Sequence, residues 1–401
     1  MKISQAPKSL LAMAFADMIR GFTRYPLWIL ISIYLLDVRH LDYLQIGFIF
    51  LFQSALSTPF SLYAGKLSDI KGRRMLALLL PAVLMILYLG FFLIIYINFS
   101  VLSIALMMAT LGTLNNVQWN VNNSIVTDIS SETERLNSFS LVRVFSNAGI
   151  GIGLIVSGIV ALSNPAFFFI VPSIGCAIEI LIILMFIPES LPHHAISLSR
   201  PKARNIIHEK TLVLVSTVLA LGGLLTSMFE SPLLPLFLSG IYGYNGLEIT
   251  SLYAINAIIV ISLQFRVNAL SRKFGEVYIY VSGLIIYGFT YLVFGFIGEF
   301  PLLCANVVVL TLGENMTSQF SQVSISRIAP EGRRGEYFGF SSSIFGFVYP
   351  FSAIIGPYML QELHDYHVLL WGIICAACLI MSGISIIMQK IIPMPGNVTV
   401  S

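Results

Sequence analysis

Gly65-Lys66-Leu67-Ser68-Asp69-Ile70-Lys71-Gly72-Arg73-Arg74 is a polar island between two apolar runs, 44–66 and 75–97. Each run is long enough to cross a bilayer, which takes about 20 apolar residues. Half of the island is charged, and charge at the bilayer centre costs at least ~2.5–3.5 kcal/mol per residue. The stretch therefore reads as a loop between two spans. Gly65 and Gly72 permit tight packing and a turn there.

The same rhythm continues in both directions. The chain is 57% hydrophobic and 10% charged, against about 25% charged in a soluble domain, so it is an integral membrane protein. Twelve candidate spans follow one another: 9–36, 44–66, 75–97, 101–129, 136–162, 166–188, 211–239, 248–270, 277–298, 302–328, 336–361 and 367–391. The first is too long, and with Asp17, Arg20 and Arg24 too charged, for a cleavable leader. An even number of spans puts both termini on one side. Of the 22 Lys and Arg, 18 lie on the N-terminal side, Arg39 alone lies opposite, and Arg20, Arg24 and Arg143 lie within spans. Basic residues mark the cytoplasmic side, so a multi-pass protein of the cell membrane with both termini cytoplasmic is expected. Four cysteines in such a chain make no disulfide framework.

The two halves echo each other. Arg24-Tyr25-Pro26-Leu27 matches Glu230-Ser231-Pro232-Leu233, Leu67-Ser68-Asp69 matches Leu270-Ser271-Arg272, and Arg135 with Phe139 matches Arg334 with Phe338. The offsets are 206, 203 and 199. A common offset of half the chain, with six spans between, predicts parallel repeats. The expected division is a first bundle over 1–190, a linker over 191–210 and a second bundle over 211–401.

The Gly65–Arg74 stretch resembles the loop signature of the major facilitator superfamily, G-x-L-[SA]-D-x-x-G-R-[RK], which lies between the second and third spans in that family. The resemblance covers nearly the whole chain. It implies an all-α membrane protein with twelve transmembrane helices in two pseudo-symmetric six-helix bundles, working by alternating access. It also implies a conformational latch of Gly65, Asp69, Gly72, Arg73 and Asp128. In that latch Asp69 faces the N-terminus of a helix from the other half, and Arg73 pairs with Asp128 at the end of span four. Because Arg272 stands where the second half would carry the matching acid, the latch is expected in the first half alone. Span five, with Gly149 and Gly153, is similar to that of the drug/proton antiporters of the superfamily, although Leu154 replaces their proline.

Ionised groups within spans must face water or a partner. Asp17, Arg20 and Arg24 follow i, i+3, i+7 spacing and form one stripe on one helix face. Glu230, beside Pro232 and Pro235, occupies the position of Arg24 in the repeat, which allows either an Arg24–Glu230 approach or proton carriage by Glu230. Gly313-Glu314 resembles a pair found in proton-coupled members of the superfamily. Burial favours the neutral carboxyl and a neighbouring Arg the charged one, so Asp17, Glu230 and Glu314 are the candidate proton carriers. Glu179 is read as a protonated or locally paired group. Span four is rich in amides, with Asn115, Trp119 and Asn122 on one face and Asn116, Asn120 and Asn123 on the next. Arg20, Arg24, Asn116, Trp119, Asn123 and Arg143 are the candidate substrate contacts.

The function implied is secondary transport: proton-driven export of small amphipathic compounds, as in multidrug efflux by antiport. The alternative is uptake of a polar or anionic metabolite, such as a sugar or organic acid, clamped by Arg20, Arg24 and Arg143. No P-loop and no nucleophile–base or metal constellation is present, so no enzyme activity, cofactor or metal is expected. The expected partners are a small-molecule substrate, protons and the lipid bilayer, with no nucleic acid, and the protein is expected to be a monomer.

Overall fold

The computed structural model describes residues 7–130, 135–163, 168–189, 209–318, 320–329 and 334–388. Within these, the side chains of 57–59, 61–71, 135–137, 162–163, 264–265, 268–269, 271–272, 321–323, 326 and 334–336 lie outside the described set. The described residues are helical in the order of the twelve expected spans. The helices are α1 (Lys8–Asp37), α2 (Tyr43–Lys71), α3 (Arg73–Tyr96), α4 (Val101–Asp128), α5 (Arg135–Ser163) and α6 (Val171–Phe186). Span seven is divided into α7 (Lys210–Thr226) and α8 (Leu233–Gly240). Then come α9 (Gly246–Phe274), α10 (Glu276–Phe294), α11 (Phe300–Thr317) and α12 (Phe320–Ile328). Span eleven is α13 (Arg334–Val348) and α14 (Ser352–Glu362), joined by a 3-10 turn over Tyr349–Phe351, and α15 (His367–Met388) closes the described chain. Eight helical stretches among the described residues are long and apolar enough to cross a membrane.

Local sequence sets these boundaries. Asp42 caps α2 through a reciprocal pair with Gln45, whose backbone N–H donates to Asp42 Oδ1 at 2.7 Å while Gln45 Oε1 accepts from the Asp42 N–H at 3.2 Å. Ser100 caps α4 by accepting from the Ser103 N–H. On α3, Leu76, Leu80, Leu84, Tyr88, Phe91 and Ile95 are buried while Met75, Leu79, Ile86 and Leu93 are exposed. An exposed stripe of that length and chemistry faces lipid, not water.

The chain divides into two compact units. The first is Met1–Ser199 with Pro235–Ile261, and the second is Arg200–Leu234 with Ser262–Ser401. Span seven is thus shared: α7 and its interruption belong to the second unit, and most of α8 to the first. In the first unit α1 packs along α5 without intervening side chains. A Cβ on Gly149 would overlap the Met18 carbonyl, and one on Gly153 that of Phe22. Glycine is what lets these two backbones touch.

Candidate functional site

In the first unit the charged stripe of α1 is closed upon itself and its neighbours. Arg20 pairs with Asp17 at 2.8 Å, one turn apart. Arg24 turns to α6, where its Nη2 donates to Glu179 Oε2 at 2.5 Å and contacts Cys176 Sγ at 3.1 Å. Its Nη1 donates to Gln118 Oε1 at 2.7 Å and Asn115 Oδ1 at 3.1 Å on α4. Gln118 spans the pair, since its Nε2 donates to Glu179 Oε1 at 2.5 Å. Asn122 Nδ2 reaches the same oxygen at 3.5 Å. Asn115 Nδ2 donates to Tyr88 Oη at 2.7 Å, bringing α3 into the network. Arg24 is 3% exposed, and Glu179 and Gln118 are fully buried. A carboxylate held by one guanidinium and by amide donors keeps its charge compensated at every face.

Two expectations change here. Arg24 meets Glu179 of its own unit, with both terminal nitrogens engaged there and its Nε without a hydrogen bond. The polar face of α4 also differs from the expected one. Asn115, Gln118 and Asn122 point inward, because at 3.6 residues per turn they share one side of the helix, whereas Trp119 is 52% exposed. Asn116, Asn123 and Arg143 are partly exposed.

At the start of α3 two of the residues expected in the latch, Arg73 and Asp128, form an ion pair. Arg73 pairs with Asp128 and also donates to the Ser124 carbonyl at 2.9 Å. The side chains of Gly65 and Asp69 lie outside the described residues. Gly72 has φ 96°, a left-handed conformation that favours glycine. Glu189, just past α6, accepts from the backbone N–H of Arg73 at 3.0 Å and of Arg74 at 3.2 Å. A carboxylate there complements the positive end of α3.

A comparable ion pair stands in the second half. In the second unit Gly275 has φ 89°, Glu276 opens α10, and Glu276 pairs with Arg327 at the end of α12. Gly275 lies 203 positions after Gly72 and Arg327 lies 199 after Asp128, so the same two positions are paired with the charges exchanged. Arg272 misled the earlier expectation because the acid had moved to the first residue of the following helix.

The second unit holds the interruption of span seven. Glu230 stands in it, exposed, between α7 and α8. Glu314, on α11, is partly exposed. Both carboxylates act electrostatically on Tyr287 of α10, and Glu230 also acts on Tyr349 in the 3-10 turn of span eleven. Spans seven, nine and eleven contain no Lys or Arg. Tyr287, Tyr291 and Trp371 form an aromatic wall, with Tyr291 stacked on Trp371 at 5.6 Å. Among the described residues no group of three or more His, Cys, Asp or Glu is arranged to hold a metal ion.

Sequence reasoning counted Gln118 among the amides of span four without placing it on a face, and missed Tyr88, Glu189, Tyr291 and the Glu276–Arg327 pair. Glu179 had a legible signal, since a lone acid in an otherwise apolar span demands a basic partner. The second latch could be read from the repeat offset. Nothing in the sequence marks Tyr88 or Tyr291.

The profile of the Major Facilitator Superfamily matches residues 13–277 and 231–391. YqjV, an uncharacterized MFS-type transporter of Bacillus subtilis (strain 168), is 22% identical over 321 residues, 77% of this chain and 76% of its own length. A Na(+), Li(+), K(+)/H(+) antiporter of Planococcus maritimus is 21% identical over 58% of this chain and 61% of its own. Among solved structures, the nucleoside transporter NupG has a TM-score of 0.77 at 11% identity, covering 95% of this chain and 99% of its own. A POT family transporter in complex with 5-aminolevulinic acid also reaches 0.77, at 13% identity and 98% of both chains. At these identities the structural likeness speaks for the fold alone.

Proposed function

The chain belongs to the Major Facilitator Superfamily, and on that premise we propose that it exports small amphipathic cations, driven by protons entering in exchange. It is a multi-pass membrane transporter and not an enzyme. The observation that carries the proposal is Glu230, exposed at the interruption of span seven, with Glu314 near the same tyrosine. Interrupted spans bring irregular backbone and charge to the middle of a membrane where they are buried in protein or line a path, and Glu230 is exposed. A carboxyl there can hold either a proton or a cationic substrate, and competition between the two couples their movements.

The anion-uptake alternative loses support in the first unit. Arg20 and Arg24, two of the three arginines an anion clamp would use, are engaged by Asp17 and Glu179. A second reading, alkali-cation/proton antiport, is favoured by the relative from Planococcus maritimus and by the same carboxylates. The orientation with both termini cytoplasmic, in the cell membrane, rests on the distribution of Lys and Arg. The two bundles, 1–190 and 211–401 joined by 191–210, would rock as the monomeric transporter alternates its access.

Purified protein in proteoliposomes, under an imposed pH gradient, tests the proposal with ethidium, Na⁺, K⁺, a sugar and an organic acid as probes. Proton flux opposite to ethidium, lost in Glu230→Gln, is the expected result. Proton exchange with Na⁺ or K⁺ alone favours the second reading. Proton flux in the same direction as the sugar or acid overturns both.

A further inference from the structure

An interrupted helix in a membrane must account for every backbone hydrogen bond it gives up. Most of the account between α7 and α8 closes locally. The Ser227 N–H donates to Gly223 O at 2.9 Å, Met228 N–H to Leu225 O at 3.2 Å, and Ser231 N–H to Ser227 O at 2.8 Å. The Ser231 hydroxyl donates to Met228 O, which Pro232 cannot serve, and accepts from the Leu233 N–H. The Phe229 N–H leaves the chain's own ladder. In a regular helix it would donate to Leu225 O. Instead it donates to Tyr291 Oη at 3.0 Å, and that oxygen lies 3.1 Å from both Leu225 O and Thr226 O.

One phenol hydroxyl of α10 is therefore inserted into the i→i−4 ladder of span seven, accepting from below the break and donating above it. A hydroxyl suits this task because one oxygen both donates and accepts. The ring is held fully buried, stacked on Trp371. Glu230 is the residue immediately after the amide that Tyr291 holds.

We infer that Tyr291 is the positioning residue for Glu230: its hydroxyl keeps span seven open at Phe229 and so sets where the Glu230 carboxylate stands. This rests on the reading of Glu230 as the coupling carboxylate, though the geometric claim stands apart from it. Without the hydroxyl between them, the Phe229 N–H can turn to Leu225 O, its i−4 acceptor, which now takes the Met228 N–H. The helix then winds on and turns Glu230 away.

The test uses full-length protein carrying Glu230→Cys, with and without Tyr291→Phe, alkylated by a water-soluble maleimide in proteoliposomes, beside the parent carrying the native cysteines. The expected result is a change of about tenfold in the alkylation rate at position 230, the scale of one buried hydrogen bond. An unchanged rate overturns the inference. Pro232→Ala is the companion variant, since it spares the hydroxyl. It should leave the rate within about threefold, and a larger change there with none for Tyr291→Phe assigns the opening to the proline and overturns the inference. Transport then separates the two readings. With Glu230 in place, Tyr291→Phe should shift the pH midpoint of ethidium-driven proton flux, and Tyr291→Phe/Glu230→Gln should behave as Glu230→Gln alone. If Glu230→Gln keeps the wild-type pH profile while the alkylation rate still responds to Tyr291→Phe, the coupling role of Glu230 falls and the positioning role of Tyr291 stands.

Discussion

The Arg24–Glu179 pair offers the sharpest test of how the first unit is held together. The side chains are 4% and 0% exposed and meet at 2.5 Å. Two unit charges about 4 Å apart attract by about 4 kcal/mol at an effective dielectric near 20. Removing one partner also strands the other, and breaking a buried pair costs about 3–5 kcal/mol. Arg24→Met should fall in that range, because Glu179 keeps only Gln118 and Asn122. Glu179→Gln should sit near its lower end, because the amide keeps the shape and Arg24 retains Gln118 and Asn115. Arg24→Met/Glu179→Gln removes both charges and leaves amides short of partners, at about 1–3 kcal/mol. The double variant should therefore be more stable than either charged single, with a coupling energy of about 3 kcal/mol or more between the sites. Unfolding in mixed micelles, followed by tryptophan fluorescence, measures all four states. Additivity within about 0.5 kcal/mol would refute the ion-pair account. If Arg24→Met left stability untouched but raised the KM for substrate, Arg24 would be a substrate contact after all.

Three further outcomes follow from the geometry. The two latches carry opposite polarity at matching positions, so Arg73→Glu with Asp128→Arg should restore transport that either single change lowers, whereas singles and pair falling alike would deny the ion pair a role. Gly149→Leu should force α1 off α5 and cost at least about 1–3 kcal/mol of overpacking, read as loss of folded protein after detergent extraction; wild-type yield would show that the helices can part. Asp37, just beyond span one, accepts from the Ser239 hydroxyl of α8 at 3.0 Å. Burial raises its carboxyl pKa above the ordinary 3.8, against the opposing pull of Ser239 and His40. A group with a raised folded pKa holds more protons folded than unfolded, so its contribution is full below 3.8 and is lost as pH rises through the folded value. The thermal midpoint of wild type should decline across that window relative to Asp37→Asn, and parallel curves would sink the assignment.

Much of the fold was legible because membranes impose a one-dimensional code. Span length, the Lys and Arg bias and the Gly65–Arg74 loop each report on the bilayer rather than on packing. Charge pairing inside the bundle was less legible, because it depends on helix rotation. The stripe Asp17, Arg20, Arg24 was read correctly as a face, but spacing says nothing about which helix it meets. Asn115 and Asn122 were assigned to their shared face, yet the third member is Gln118 and not Trp119, a difference of one residue and 100° of rotation. Tyr291 illustrates the limit. A tyrosine in an apolar span reads as packing, and its role exists only through the break of another span.

The division of charge between the halves bears directly on what is carried. The repeats share their latch positions, and each starts the helix after the loop with a left-handed glycine. Mid-span they diverge: the first unit pairs two acids with two arginines across α1 and α6, while the second offers Glu230 and Glu314 in spans otherwise without mid-membrane bases. A salt bridge closed on all sides resists rearrangement, because opening it exposes two charges at once. A carboxyl standing at an interrupted helix can exchange its proton for a cation at far smaller cost. Under the export reading proposed above, the first unit serves as the fixed wall and the second as the exchanging one. Neutralising Glu230 should accordingly abolish coupling with little change in stability, whereas neutralising Glu179 should do the reverse. Measuring transport and unfolding on both variants decides the matter, and equal loss of both properties in the two variants would refute the division.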